Sequence, residues 1–159
     1  MSSLDEFHNK KPVHIWPIVL LRVYTGVFFL KYGWGKITNP NFVDGLAGFV
    51  SGNLDKAFGF MRPFLESVVI PNKGLFAVMV SWGEFLIGIA LIVGLATRWA
   101  SIAGALMIAA FWFTKGQGFL DAMNHDAIWF MIFVVLAAVH AGRAYSLDQR
   151  LADRLRFLA

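Results

Sequence analysis

Long apolar runs, interrupted by few charged residues, dominate this sequence. The longest, residues 75–95, is 21 residues long and contains a single charge, Glu84. Because about 20 apolar residues cross the hydrocarbon core of a bilayer as a helix, this run predicts a membrane-crossing helix. An earlier run, residues 15–34, is 20 residues long and is interrupted by Arg22 and Lys31. It predicts the first crossing of the chain.

Two further apolar runs follow, residues 99–113 and 127–141, and each is 15 residues long. By length alone, either could be a core helix of a soluble protein. Aromatic residues near their ends, such as Trp99, Trp112 and Trp129, are typical of membrane interfaces. The chain is also 58% hydrophobic and 15% charged, whereas soluble domains carry about 25% charged residues. The sequence therefore predicts an all-α fold, an integral membrane four-helix bundle.

The connection between the first two crossings, residues 35–74, is too long for a turn and predicts structure of its own. Apolar residues recur in it at helical spacing, and polar residues such as Asp44 and Asn53 fall between them. Pro63 is expected to break this pattern and Pro71 to end it. We expect an amphipathic segment of one or two short helices that lies on the membrane surface or caps the bundle.

The distribution of basic residues predicts the orientation in the membrane. With both termini in the cytoplasm, seven Lys and Arg residues face that side and five face the other. Residues 1–14 then form a cytoplasmic N-terminal segment, residues 15–141 the membrane domain, and residues 142–159 a basic cytoplasmic tail. The tail is expected to meet anionic lipid headgroups. The net charge of +4 therefore needs no nucleic acid to explain it.

Charged residues inside the apolar runs are the first candidates for function. An ionisable side chain at the bilayer centre costs several kcal/mol and normally faces a partner or a wet cavity. Arg22 and Glu84 lie near the middle of antiparallel helices, offset by roughly 5 Å along the axis, so we expect them to pair. The pair either fixes the register of the helices or acts in proton transfer and ligand contact.

A second group of polar residues collects at the outer ends of the predicted crossings. Lys36 follows the first crossing, Lys115 follows the third, and Asn124, His125 and Asp126 precede the fourth. Antiparallel order places all of them on one face of the bundle. His125 and Asp126 could take protons from a quinol, or bind a small anion together with Lys36. The alternative is helix capping with ordinary interfacial charges.

Cysteine is absent from the sequence. Thiol chemistry, iron–sulfur clusters and thiolate metal ligands are therefore excluded for this polypeptide. We predict no intrinsic cofactor and no metal site. Any redox role then requires a bound molecule such as a quinone, or a partner protein in the membrane.

The residues that carry a family resemblance extend from about Leu20 to Asp148. They are Leu21-Arg22 with Gly26, Phe29-Leu30, Gly33 and Lys36, then Glu84 with Gly88 and Gly94-Leu95-x-Thr97-Arg98, and last Asn124-x-Asp126 and Gly142-Arg143-x-x-Ser146-Leu147-Asp148. Together they resemble the DoxX family, including its DoxD-like relatives, which are small four-span proteins of prokaryotic membranes. The resemblance implies a four-helix bundle in the plasma or inner membrane. It also implies family-site positions at Arg22, Lys36, Glu84, Asn124 and Asp126.

For DoxD-like members, the resemblance implies a membrane subunit of a thiosulfate:quinone oxidoreductase. Our first hypothesis is therefore quinone-linked redox chemistry. Its candidate catalytic residues are Glu84, Arg22 and Asp126, and its candidate substrate-binding residues are Lys36, Asn124 and His125. The second hypothesis is a non-catalytic accessory subunit that packs against a larger respiratory or photosynthetic complex. Both hypotheses predict the lipid bilayer and other membrane or redox subunits as partners.

Overall fold

The computed structural model describes residues 16–122 and 124–139. The predicted cytoplasmic segments, residues 1–14 and 142–159, lie outside them. The described residues form helices and turns, with no strand among them, which confirms the all-α prediction for this part of the chain. The helices are α1 Trp16–Ile37, α2 Phe42–Asn53, α3 Arg62–Phe64, α4 Lys73–Val93, α5 Thr97–Lys115 and α6 His125–Ala138, and a π-helical turn, Leu65–Val69, continues α3.

The four long helices match the predicted apolar runs to within a few residues. α1 is 22 residues long, α4 is 21 and α5 is 19. α4 ends at Gly94, whose φ of 73° lies in the left-handed region that favours glycine. α6 begins at His125 because the side chain of Asn124 accepts a hydrogen bond from the Ala127 amide at 3.0 Å. This bond satisfies a backbone donor that the first turn of a helix leaves free.

One described helix, α4, is long and apolar enough to cross a membrane by length and composition. α6 is apolar but shorter. α1 contains Arg22, Lys31 and Lys36, and α5 contains Arg98 and Lys115. By this criterion, the described ranges contain one candidate crossing, and the predicted set of four crossings is not confirmed.

α1 and α4 pack antiparallel with their backbones in close contact, because glycines lie where they meet. A Cβ atom at Gly33 would overlap the backbone of Glu84 and Phe85, and one at Gly88 would overlap the backbone of Leu30. Small residues at such contacts are typical of helix pairs in membranes. The contact also defines the register, with Gly33 opposite Glu84.

Two hydrophobic clusters occupy the described interior. The first joins α1, α4, α5 and α6 around Phe29, Leu91 and Phe133. The second lies near the start of α4, where α2 and the π-helical turn contribute Leu46 and Leu65. The connection between the first two long helices therefore caps one end of the bundle and has a core of its own.

The connection contains two short helical pieces, as predicted, but the break between them lies before Pro63. α2 ends at Asn53, and Pro63 lies in the first turn of α3 rather than at a break within a longer helix. Proline suits this position because the first turn of a helix needs no donor from it. Residues 54–61 run between the two helices, where the Phe58 amide donates to the Phe113 carbonyl at 3.1 Å. That bond holds the connection against the end of α5.

Several polar side chains are buried in the bundle, and many large apolar side chains outside the two clusters face outward. The buried polar residues are Arg22, Thr25, Ser81, Glu84, Thr97, Ser101, Thr114, Asn124 and Asp126. Only 33% of the most apolar 18-residue stretch of α4 is buried inside the protein. Side chains such as Trp82 and Leu86 therefore lie exposed. An apolar helix in the core of a soluble protein would be mostly buried. The outward face of α4 instead fits a lipid environment.

Candidate functional site

A cavity of about 380 Å³ lies under α2, at the end of the bundle where α1 and α5 finish. Its volume falls within the range of about 300–1,000 Å³ that is typical of small-molecule sites. Aromatic side chains form much of its wall, including Phe28, Tyr32, Phe42, Phe49, Phe111 and Trp129. Its charged or titratable lining residues are Lys36, Glu84, Lys115, His125 and Asp126.

Lys36 and Glu84 form an ion pair between α1 and α4, in which Lys36 Nζ donates to Glu84 Oε1. Lys36 lies one turn after Gly33, so the close helix contact brings its side chain to the carboxylate. The Lys36 ammonium also lies 5.7 Å from the ring centroid of Phe42 and 5.6 Å from that of Phe111. Both rings stabilise the cation through their negative faces. The pair is thus held in a largely aromatic environment.

The second carboxylate oxygen of Glu84 has no hydrogen-bond partner within the described residues. This atom, Oε2, is buried, and Glu84 as a whole is 5% exposed. A buried acceptor without a donor costs free energy, and nearly all such atoms in proteins accept a hydrogen bond from the protein or from ordered water. Because Glu84 lines the cavity, a ligand with a hydroxyl or amine group can supply the missing donor.

The predicted pair between Arg22 and Glu84 is wrong, because Lys36 takes that position. Arg22 lies about three turns before Gly33, the residue opposite Glu84, which separates their levels by roughly 16 Å along α1. The prediction aligned the centres of two apolar runs, whereas the glycine contacts shift α1 along α4. Arg22 is 1% exposed and lies towards the opposite end of the bundle, outside the lining of the cavity.

A second ion pair connects the ends of α5 and α6 at the cavity. Lys115 Nζ lies 2.7 Å from Asp126 Oδ2. Asp126 is buried in the first turn of α6, where the helix dipole favours a carboxylate. His125 precedes it and is exposed while also lining the cavity. The Asp126 carboxylate and the His125 imidazole therefore both line the cavity, and groups of these two types can exchange protons with a ligand.

Four of the six predicted site residues meet in this cavity: Lys36, Glu84, His125 and Asp126. Asn124 is not among its lining residues. Its amide caps α6 and donates from Nδ2 to the Gly118 carbonyl at 2.8 Å, so the capping alternative is confirmed for this residue.

The aromatic wall from the cap and from α5 was not predicted as part of the site. Phe42 and Phe49 belong to α2, and Phe111 belongs to α5. The apolar spacing of residues 35–74 was the available signal, because it showed that one face of this segment packs against something. The spacing could not show that this face would also line a cavity.

The polar groups of the cavity are suited to hydrogen bonding and proton transfer. Within residues 16–122 and 124–139, no group of three or more His, Asp or Glu side chains is arranged to hold a metal ion. A ligand would instead meet two lysines, two carboxylates and a histidine set between aromatic rings.

The sequence model of the DoxX family matches residues 18–117, which is more than half of the chain. This chain belongs to the DoxX family. The matched region includes Lys36, Glu84 and Lys115, whereas His125 and Asp126 lie beyond it. No curated protein and no solved structure matches the chain. Since DoxX proteins are membrane-associated, the apolar, outward-facing α4 has the surface expected of a small membrane protein.

A third ion pair of this DoxX protein lies outside the cavity. Lys73 Nζ donates to Asp44 Oδ1 at 2.7 Å and connects the start of α4 to α2. The hydrogen bond from Lys73, together with its positive charge, lowers the pKa of Asp44 below its ordinary value. Both side chains are well exposed, so the pair contributes little to stability. It provides a carboxylate that can serve as a control for those in the cavity.

Proposed function

We propose that this DoxX protein binds a quinol or quinone in the cavity under α2 and supports quinone-linked redox chemistry in the membrane. One observation carries the proposal, namely a cavity of ligand size in which aromatic rings surround a buried carboxylate with an unsatisfied oxygen. Aromatic rings pack against the faces of a quinol ring, and the charged groups can bind its oxygens at the ring edge.

The donors and acceptors of the cavity match the two redox forms in different ways. A quinol has hydroxyl donors, and one of them can donate to Glu84 Oε2. A quinone has acceptor oxygens only, and these can accept hydrogen bonds from Lys36 or Lys115. Glu84, Asp126 and His125 are the groups that would exchange protons with the bound ring.

Oxidation of a quinol releases two protons and two electrons, and reduction of a quinone takes up the same number. The cavity residues can handle the protons, whereas the electrons need a redox-active partner because this chain has no cysteine ligands for a cluster. We therefore place the chain as the membrane subunit of a thiosulfate:quinone oxidoreductase-type system. A partner subunit oxidises thiosulfate there and passes the electrons to the quinone.

The proposal includes four membrane crossings, formed by α1, α4, α5 and α6, with both termini in the cytoplasm. The outward apolar face of α4 and the buried charges Arg22 of α1 and Glu84 of α4 support it. In this orientation α2 and the cavity lie at the outer side of the membrane. A quinol from the bilayer would then reach Glu84 beneath α2.

Binding measurements on the full-length protein in lipid nanodiscs test the proposal. A benzoquinol titrated into the nanodiscs is expected to quench tryptophan fluorescence saturably, because Trp129 lines the cavity. Glu84→Gln keeps the size of the side chain but removes the charge of the acceptor. It should weaken binding about tenfold or more, since hydrogen bonds to charged groups contribute about 1.5–3 kcal/mol.

Asp44→Asn is the matched control, because it neutralises a carboxylate that lies outside the cavity. It should bind the benzoquinol as the wild type does. Wild-type nanodiscs that show no saturable quenching would reject the proposal, as would equal affinities of wild type and Glu84→Gln.

A second candidate function is a non-catalytic accessory subunit of a larger membrane complex. The exposed apolar side chains of α4 favour it, because they can accept a partner helix as well as lipid. Isolation from native membranes in mild detergent distinguishes the two functions. Stoichiometric co-purification with a larger complex, without bound quinone, supports the accessory role. A protein that carries quinone supports the first proposal.

A further inference from the structure

A second, smaller cavity of about 100 Å³ adjoins the first one. The two cavities share Leu46, Phe49 and Phe111 as lining residues. Apart from Thr114, the second cavity is lined by apolar side chains. The Thr114 hydroxyl donates to the Ala110 carbonyl at 2.8 Å, so its donor is already used. The second cavity therefore offers a ligand apolar contact.

The wall between the cavities is a pair of aromatic rings. Phe49 of α2 and Phe111 of α5 pack edge to face with their centroids 5.9 Å apart. On one side of them lie Lys36 and Glu84, and on the other side lies the π-helical turn Leu65–Val69. Such wide turns are frequent at functional sites. The polarity thus changes abruptly from one cavity to the next across a single layer of side chains.

We propose that the two cavities form one continuous site for an amphipathic lipid, with its polar ring beside Glu84 and the first carbons of its apolar tail in the second cavity. The inference rests on the proposed function and extends it from the ring of the quinol to the tail. A tail-less quinol would occupy the first cavity only. A tailed one would pass beside the Phe49–Phe111 pair and contact the side chains between α2, the π-helical turn and α5.

Two enlarging substitutions in the second cavity test the path of the tail. Val80→Phe and Ala110→Phe each add a ring to its lining. Ala103→Phe adds the same ring at an exposed position of α5 outside both cavities and is the matched control. The ligands are a benzoquinol with a decyl tail and the same benzoquinol without it. The affinity for each ligand is measured in nanodiscs and expressed as the mole fraction of ligand in the lipid at half-saturation.

We expect the two enlarging variants to weaken binding of the decyl benzoquinol about tenfold, because the tail must then displace packed side chains. The tail-less benzoquinol should bind these variants as it binds the wild type. Ala103→Phe should bind both ligands as the wild type does. Equal effects on the two ligands, or no effect on either, would overturn the inference. Binding of the tail-less benzoquinol by the wild-type protein would still support the proposed function in that case.

Photocrosslinking gives a second readout that does not depend on the enlarging variants. A benzoquinol whose tail carries a diazirine a few carbons from the ring should label the second cavity of the wild-type protein, where Met61 and Met107 are among the lining residues. Labelling confined to the outward face of α4, at residues such as Leu86, would show that the tail stays in the lipid. Failure of every benzoquinol to bind would reject the inference together with the proposed function.

Discussion

The unequal burial of Lys36 and Glu84 makes their ion pair asymmetric. The Glu84 side chain is 6% exposed, whereas that of Lys36 is 23% exposed. Loss of the lysine leaves a buried carboxylate without its cation, while loss of the carboxylate leaves an ammonium that can turn towards water. Breaking a buried pair by removing one partner costs about 3–5 kcal/mol, most of it from the charge left behind.

Lys36→Met should therefore lower the unfolding free energy more than Glu84→Gln does. The double variant should recover part of the loss, with a coupling of about 1–3 kcal/mol, because it leaves neither charge unpaired. Thermal unfolding in detergent, followed by gel filtration, measures all three proteins. Additive losses in the double variant would show that the two side chains do not interact.

Arg22 separates structural from binding effects, because it is buried but lies towards the other end of α1. Arg22→Met should lower thermal stability and leave the affinity for a benzoquinol unchanged, since the effects of substitutions more than about 10 Å apart usually add independently. The measurements are gel filtration after heating and the fluorescence titration. A stable Arg22→Met protein that no longer binds quinol would show that Arg22 takes part in binding, which its position argues against.

Among the helices, the contact between α1 and α4 decides where the site forms. Gly33 and Gly88 let the two backbones approach, and this approach sets the register that brings Lys36 to Glu84. A helix pair without these glycines would separate by the thickness of a side chain. The contact thus controls both stability and the geometry of the cavity.

Gly33→Ala and Gly35→Ala form a matched pair that tests this contact within α1. A Cβ at Gly33 would overlap α4, whereas one at Gly35 meets no atom within 4 Å. Gly33→Ala should cost about 1–3 kcal/mol through overpacking. Gly35→Ala should be neutral or stabilise by up to about 1 kcal/mol, because alanine is the better helix former. The midpoint of thermal unfolding orders the variants, and similar midpoints would contradict the close contact.

The attachment of α2 to α4 through Asp44 and Lys73 should depend weakly on pH. The folded-state pKa of Asp44 lies below its ordinary value, so the pair stabilises the protein above the ordinary carboxyl pKa of about 4. That contribution is lost as the pH falls through the lowered value. Wild type should be slightly more stable than Asp44→Asn at neutral pH, and the difference should disappear in acid and at high salt. A difference that grows in acid would contradict this account.

For the molecule as a whole, the arrangement of polarity is the main clue to its environment. Charged and hydroxyl side chains collect inside the bundle and at the cavity, and the outward face of α4 is apolar. In the bilayer, apolar surface on the outside carries no cost, whereas unpaired polar groups there are expensive. The same arrangement in water would leave a large apolar surface exposed.

Cysteine accessibility tests the membrane topology directly, because the chain has no native cysteine. Single variants Lys56→Cys, Arg98→Cys and Leu86→Cys place a thiol before, after and within α4. A membrane-impermeant maleimide should label the first from the outer side and the second from the cytoplasmic side. Leu86→Cys should react only after detergent solubilisation. Labelling of the first two from the same side would show that α4 does not cross the membrane.

Helix type and position could be read from the sequence because both are local. Apolar runs predicted α1, α4 and α5 to within a few residues, although the run for α5 is shorter than a membrane crossing, and Asn124 is a typical cap for the start of α6. Glu84 and Lys36 could be chosen as candidates in the same way. A charge within an apolar run is expensive wherever the helix packs, so its presence marks a candidate for a site or for a structural ion pair.

The partner of Glu84 and the shape of the cavity depend on the tertiary structure. Arg22 was the basic residue nearest mid-span in the sequence, but the register set by Gly33 brings Lys36 to Glu84 instead. Phe49 and Phe111 meet only because the cap folds back onto α5. Register and cap packing depend on contacts between distant parts of the chain, and hydrophobic periodicity carries no information about which of those contacts form.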